Sequence, residues 1–140
     1  MKGLFFISIA ALSLIFSGCA DHIVEFTPSI LDDQPQNVVN ARYSSIQTNV
    51  FSNSCALSGC HAGAVPPNLS AASAYAAIVN RPSAQGGEYI VPGDPVNSYL
   101  YQKVLGSNIS GQRMPRGAVP LSAAILDSIR IWIGNGALNN

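Results

Sequence analysis

Two thiols and an imidazole stand together in the run Phe51-Ser-Asn-Ser-Cys-Ala-Leu-Ser-Gly-Cys-His61, with Cys55 and Cys60 five positions apart and His61 directly after the second. This order is that of a haem c attachment segment. Two thiols on one short turn can each add to a vinyl group of the macrocycle, and the next side chain then lies under the iron as an axial imidazole. The common form of the motif leaves two residues between the cysteines, whereas Ala56, Leu57, Ser58 and Gly59 intervene here. A longer spacer still reaches both vinyls if it loops outward, and Ser58-Gly59 is turn chemistry that permits this. Two other readings stay open. Cys55 and Cys60 could close a small disulfide in an oxidising compartment, or join His61 on zinc, which would need a fourth ligand when the only other histidine is the distant His22.

Met114 is the only methionine besides Met1, and it stands in Gly111-Gln-Arg-Met-Pro-Arg-Gly117. A thioether is a soft, neutral ligand that suits haem iron opposite a histidine. Pro115 biases Met114 towards an extended backbone, and the flanking glycines allow the loop to approach a flat ring. Methionine more often fills a core, but Arg113, Pro115 and Arg116 make poor core neighbours.

The stretch from about Tyr43 to Ala137 resembles small class I type cytochrome c domains of bacterial lipoproteins. The matching segments are Val50-Phe51 with the cysteine and histidine motif, Val91-Pro-Gly-Asp-Pro95 with Ser98-Tyr-Leu100, Arg113-Met-Pro115, and Ile131-Trp-Ile133 with Gly136-Ala137. The resemblance implies one covalent haem c attached at Cys55 and Cys60, with His61 and Met114 as axial ligands of its iron. The widened cysteine spacing is the one departure from the usual pattern.

The beginning of the chain bears on location. Met1-Lys2 is a positive start, residues 3–16 are apolar, and Ser17-Gly18-Cys19 closes the run with small residues and a cysteine, as in a bacterial lipoprotein signal. The apolar run is shorter than the roughly 20 residues of a membrane span. The expected division is a signal peptide over 1–18, a lipidated N-terminus at Cys19 with a tether over 19–40, and a haem domain over 41–140. Lipidation of Cys19 removes the odd cysteine, leaving two for the haem. Several acyl chains anchor stably because each buried methylene contributes about 0.8 kcal/mol. Ala20, in place of aspartate, favours the outer membrane by analogy with lipoprotein sorting, so the domain would face the periplasm or the cell exterior. A flexible tether of this length would reach on the order of 25 Å.

The 140 residues carry seven basic and seven acidic side chains and a net charge of +0. No strong field therefore argues for nucleic acid. Helical patterning appears in four places: Arg42 to Asn53; Ser70, as N-cap, to Val79; Asp94-Pro95, as cap and first turn, to Gly106; and Ser122 to about Gly134, with Ile125, Leu126, Ile129, Trp132 and Ile133 on one stripe. No alternating strand run competes. The fold expected is all-α, a small cytochrome c-like helical domain wrapped around one covalent haem that fills a thin core. Trp132 is expected as a core contact between the first and last helices.

If His61 and Met114 both hold the iron, no coordination site remains for a substrate. The expected function is then one-electron transfer with a redox protein of the cell envelope as partner. Arg113, Arg116 and Lys103 could ring the haem edge and steer an acidic partner, or simply be solvated loop charges. Without Met114 on the iron, an open site would admit peroxidase-like or sensing chemistry. Without haem, the chain would be a disulfide-bearing envelope lipoprotein with a binding or structural role. No Ser/His/Asp set can form, because His61 is the only histidine beyond the tether.

Overall fold

The computed structural model describes residues 39–140. The leader, Cys19 and the tether up to residue 38 lie outside the described residues. What is described is helical and contains no strand. Helix α1 (Tyr43–Ile46) runs directly into a π-helical segment (Gln47–Cys55), followed by α2 (Ala74–Ile78), α3 (Tyr99–Leu105) and α4 (Ala123–Gly134). The four helical stretches occur in the expected order, and the only extended pairing among the described residues is a set of isolated bridges.

Three of the four stretches differ from their sequence patterns in ways that have local causes. The first was expected as an α-helix, yet from Gln47 it widens to i→i+5 closure, ending with Ala56 N–H donating to the Phe51 carbonyl at 2.7 Å. Inside this segment Gln47 is buried. Its Oε1 accepts from the Tyr43 hydroxyl at 2.9 Å and its Nε2 donates to the Leu69 carbonyl at 3.0 Å, so the buried amide is satisfied. The second helix starts at Ala74 rather than after Ser70, whose carbonyl instead accepts from Ser73 and Ala74 in a preceding turn.

The third helix starts at Tyr99, with Ser98 as N-cap, and not at the Asp94-Pro95 pair. Asp94 closes a turn of its own. The Asn97 side chain, and then its backbone N–H, hydrogen-bond the Asp94 carboxylate and hold it below the usual carboxylate range. Ser98 is fully buried, its Oγ accepting from Val91 N–H at 2.9 Å and donating to the Asp94 carbonyl at 2.8 Å. As expected, Gly106 ends α3 in the left-handed conformation, with φ 83°. The Ser122 hydroxyl caps α4 by accepting from Ile125 N–H at 3.4 Å.

The core lies where α1, the π-helical segment and α4 meet. Ile46, Phe51, Ile129, Trp132 and Ile133 are buried, and Trp132 is 1% exposed. Its ring lies 5.8 Å from that of Tyr43, which meets Tyr75 edge-to-face at 5.0 Å. The indole N–H donates to the Leu138 carbonyl at 2.9 Å, so this large side chain is buried without an unpaired polar atom. Trp132 thus joins the first and last helices, as its place in the sequence predicts. Val39, assigned to the end of the tether, is part of this core, and its carbonyl accepts from Ser128 Oγ. Among the described residues no helix is long and apolar enough to cross a membrane.

Candidate functional site

Away from that core, the π-helical segment delivers one side of a cavity of about 520 Å3. Val50 and Cys55 are five residues apart and both line it. An i→i+5 turn stacks such a pair on one face, whereas an α-helical turn would rotate them apart. The segment is therefore what turns the first cysteine towards the apolar wall formed by Val50 and Phe51.

The four-residue spacer then closes on itself. Cys60 N–H donates to the Leu57 carbonyl at 3.0 Å and His61 N–H to the Cys55 carbonyl at 3.1 Å. Gly59 takes φ 75° and Leu57 points outward, 46% exposed. The extra residues are an outward loop, and Cys55, Cys60 and His61 all line the same cavity. The two thiols are free and differ in environment. Cys60 is exposed, whereas burial, and secondarily the neighbouring Cys60, push the Cys55 thiol up to about 11. Cys55 is therefore a neutral thiol at neutral pH, unlike an activated nucleophile.

His61 is oriented by the backbone that follows it. Its Nδ1 lies 3.1 Å from the Val65 carbonyl and 3.1 Å from the Pro67 carbonyl. Carbonyls only accept, so Nδ1 carries the proton and the Nε2 lone pair is left for a ligand role. Metal-binding histidines are commonly held in this way. The Leu69 N–H donates to the His61 carbonyl at 2.7 Å and fixes the same loop from below.

The opposite part of the lining comes from α3 and the loop after it. Leu100 and Val104 are buried apolar wall, and Met114 joins the lining on a loop tied to α3 at three points. Met114 N–H donates to the Lys103 carbonyl at 2.9 Å, and Lys103 Nζ donates to the Ser110 and Gln112 carbonyls at 2.9 and 2.6 Å. The Lys103 ammonium is thus engaged in holding the methionine loop. The Arg113 stem covers Gly106, and Arg116 is exposed at the cavity.

All four candidate side chains, Cys55, Cys60, His61 and Met114, are brought to one apolar hollow. The volume falls in the ordinary range for small-molecule and cofactor sites. Among the described residues no three His, Cys, Asp or Glu side chains converge as a metal cluster. Tyr99, placed by the sequence only in the third helix and in the segment Ser98-Tyr-Leu100, also contributes to the lining, while its hydroxyl is buried without a hydrogen-bond partner among the described residues. No family model, curated protein or solved structure matches the chain.

Proposed function

We propose that this chain is a monohaem c-type cytochrome that carries single electrons in a bacterial cell envelope. The observation that carries the reading is the convergence of Cys55, Cys60, His61 and Met114 on one apolar cavity, with His61 Nδ1 already engaged. The residues fit the group in chemistry as well as in space. Two thiols are available for thioether bonds, a neutral imidazole nitrogen and a thioether sulfur are available to the iron, and the walls are aliphatic and aromatic. Haem, when bound, supplies a reversible one-electron couple. Val50, Phe51, Leu100 and Val104 would exclude water from it, and His61 and Met114, which would hold the iron, stand on loops braced by backbone hydrogen bonds. With both His61 and Met114 holding the iron, electron transfer would be favoured over chemistry on a substrate.

In this reading Cys19 bears the lipid that anchors the domain at the membrane, facing the periplasm or exterior, and the partner is another redox protein of the envelope. Replacing Cys19 with serine should release the domain in soluble form or block processing, and unchanged membrane fractionation would refute the anchor.

The decisive experiment is intact mass after expression with haem-maturation machinery. The denatured, acid-solvent-extracted protein should retain one haem, and the double variant Cys55→Ala/Cys60→Ala should retain none. Wild-type protein without added haem mass would refute the cytochrome reading. Met114→Ala separates a carrier from an open-site haem protein. It should keep the haem, lower the reduction potential, abolish the weak red sulfur-to-iron absorption and raise binding of exogenous ligands. A wild type that already behaves as the variant does would refute axial ligation by Met114.

A further inference from the structure

The two side chains proposed for the iron are held in unlike ways. On the His61 side the bonds come from several parts of the chain. His61 N–H donates to the Cys55 carbonyl, Leu69 N–H donates to the His61 carbonyl, and Nδ1 faces the Val65 and Pro67 carbonyls. Leu69 is itself buried, and its carbonyl accepts from Gln47 Nε2.

The Met114 side has no such redundancy. From Leu105 to Pro120 no side chain is buried, so packing into the core does not fix this loop. Among the described residues, every hydrogen bond that joins residues 108–118 to the rest of the chain ends on Lys103. Its carbonyl takes the Met114 N–H, and its ammonium takes the Ser110 and Gln112 carbonyls. The other bonds of the segment, from Ala118 N–H to the Pro115 carbonyl and from Arg113 to the Ala118 carbonyl, stay inside it. The base of this attachment is rigid, because Leu100 and Val104, which flank Lys103 in α3, are buried. An ammonium has three donors and no acceptor, and hydrogen bonds with a charged donor are the stronger kind.

We propose that Lys103 is the positioning residue of the axial methionine, the strap that sets how readily Met114 leaves the iron. This rests on the haem reading above. With Met114 on the iron the loop lies against α3 and both ammonium bonds are made. Displacement of Met114 by another ligand moves the loop away and breaks them. Removing the bonds therefore favours the displaced state, and the apparent affinity for an exogenous ligand rises with the population of that state. Lys103 acts through the loop, so its effect vanishes where residue 114 cannot ligate.

The test is imidazole binding to oxidised holoprotein, with haem content confirmed by intact mass, in wild type, Lys103→Leu, Met114→Ala, the double variant and Gln102→Leu. Leucine keeps an apolar stem and removes the donors. Lys103→Leu should bind imidazole about tenfold more tightly than wild type, the effect of roughly one lost hydrogen bond, and weaken the sulfur-to-iron absorption. In the Met114→Ala background the same substitution should change affinity by less than about twofold. Gln102 is the control on the same helix. Its Nε2 donates to the Val96 carbonyl and it does not line the cavity, so Gln102→Leu should bind imidazole as wild type does. Unchanged affinity and absorption in Lys103→Leu overturn the proposal, as does an equal gain in the Met114→Ala background or in Gln102→Leu. A second measurement needs no variant. In wild type, imidazole should speed amide hydrogen exchange at Met114 and leave the Leu69 amide protected, and equal loss of protection at both, or none at Met114, overturns the proposal. Wild-type protein without haem mass refutes the cytochrome reading itself, a result separable from these.

Discussion

The contact between α1 and α4 and the cavity beside the π-helical segment are built from similar side chains but are completed in different ways. In the helix contact, Trp132 and Tyr43 bury large aromatic surface and their polar atoms are paired, the indole N–H with Leu138 and the phenol with Gln47. In the cavity, comparable apolar walls surround two free thiols, an imidazole with one nitrogen unengaged and a thioether. The first region is finished by the chain itself. The second holds reactive and polar groups around open space, an arrangement that a protein interior tolerates where a ligand supplies the missing contacts. No residue of α1 or α4 lines the cavity, which is walled by the π-helical segment, α3 and the loops.

The sharpest way to break this division is at Trp132. Trp132→Ala should cost about 3–5 kcal/mol in urea or guanidinium unfolding, by lost transfer energy and a cavity in the filled region. A loss that large would consume much of the stability of an ordinary domain. An effect under about 1 kcal/mol would mean that the α1–α4 contact is not the structural centre. Gln47→Leu comes next, at about 1–3 kcal/mol, because the buried Tyr43 hydroxyl and Leu69 carbonyl both lose their partner. Its unfolding midpoint should fall with little change in slope.

At the cavity end the expected stability effects are smaller. Gly106 has φ 83°, and a Cβ placed there would stand 2.7 Å from Arg113 Cδ. Gly106→Ala should cost about 1–2 kcal/mol through the left-handed backbone and displace Arg113, next to Met114. If haem is bound as proposed, the variant should also raise binding of exogenous ligands relative to wild type, whereas a purely structural effect would lower stability alone.

The smallest effect is one of reactivity. In haem-free protein at pH 8, alkylation should label the exposed Cys60 well before Cys55, whose thiolate is suppressed roughly hundredfold by a shift from 9.0 to about 11. Because the folded state raises this acid's ionisation point, the stability it contributes is full below about 9 and is lost as pH rises through about 11. Equal labelling rates for the two cysteines would remove the environmental difference.

Much of the architecture was legible because it depends on local patterns. The stripe of Ile125, Ile129, Trp132 and Ile133 defines α4 and its buried face, Ser122 and Gly106 mark helix ends, and the absence of alternating runs excludes a sheet. Local competition hid the rest. Asp94 has the chemistry of a helix cap, yet Asn97 captures its carboxylate in a separate turn, and the helix waits for Ser98. The π-helical closure was equally invisible, since Ile46, Val50 and Phe51 suit an α-helical face as well.

The sequence by itself determined the chemical inventory: from residue 39 onward two cysteines, one histidine and one methionine, in an order that limits what they can hold. Residue type and spacing fix that inventory whatever the fold. Tertiary structure alone decided that Cys55 and Met114, 59 positions apart in the chain, line one cavity. It also decided that Lys103 braces the methionine loop. These facts depend on long-range packing and on which backbone carbonyls happen to be left open, neither of which leaves a periodic trace in the chain.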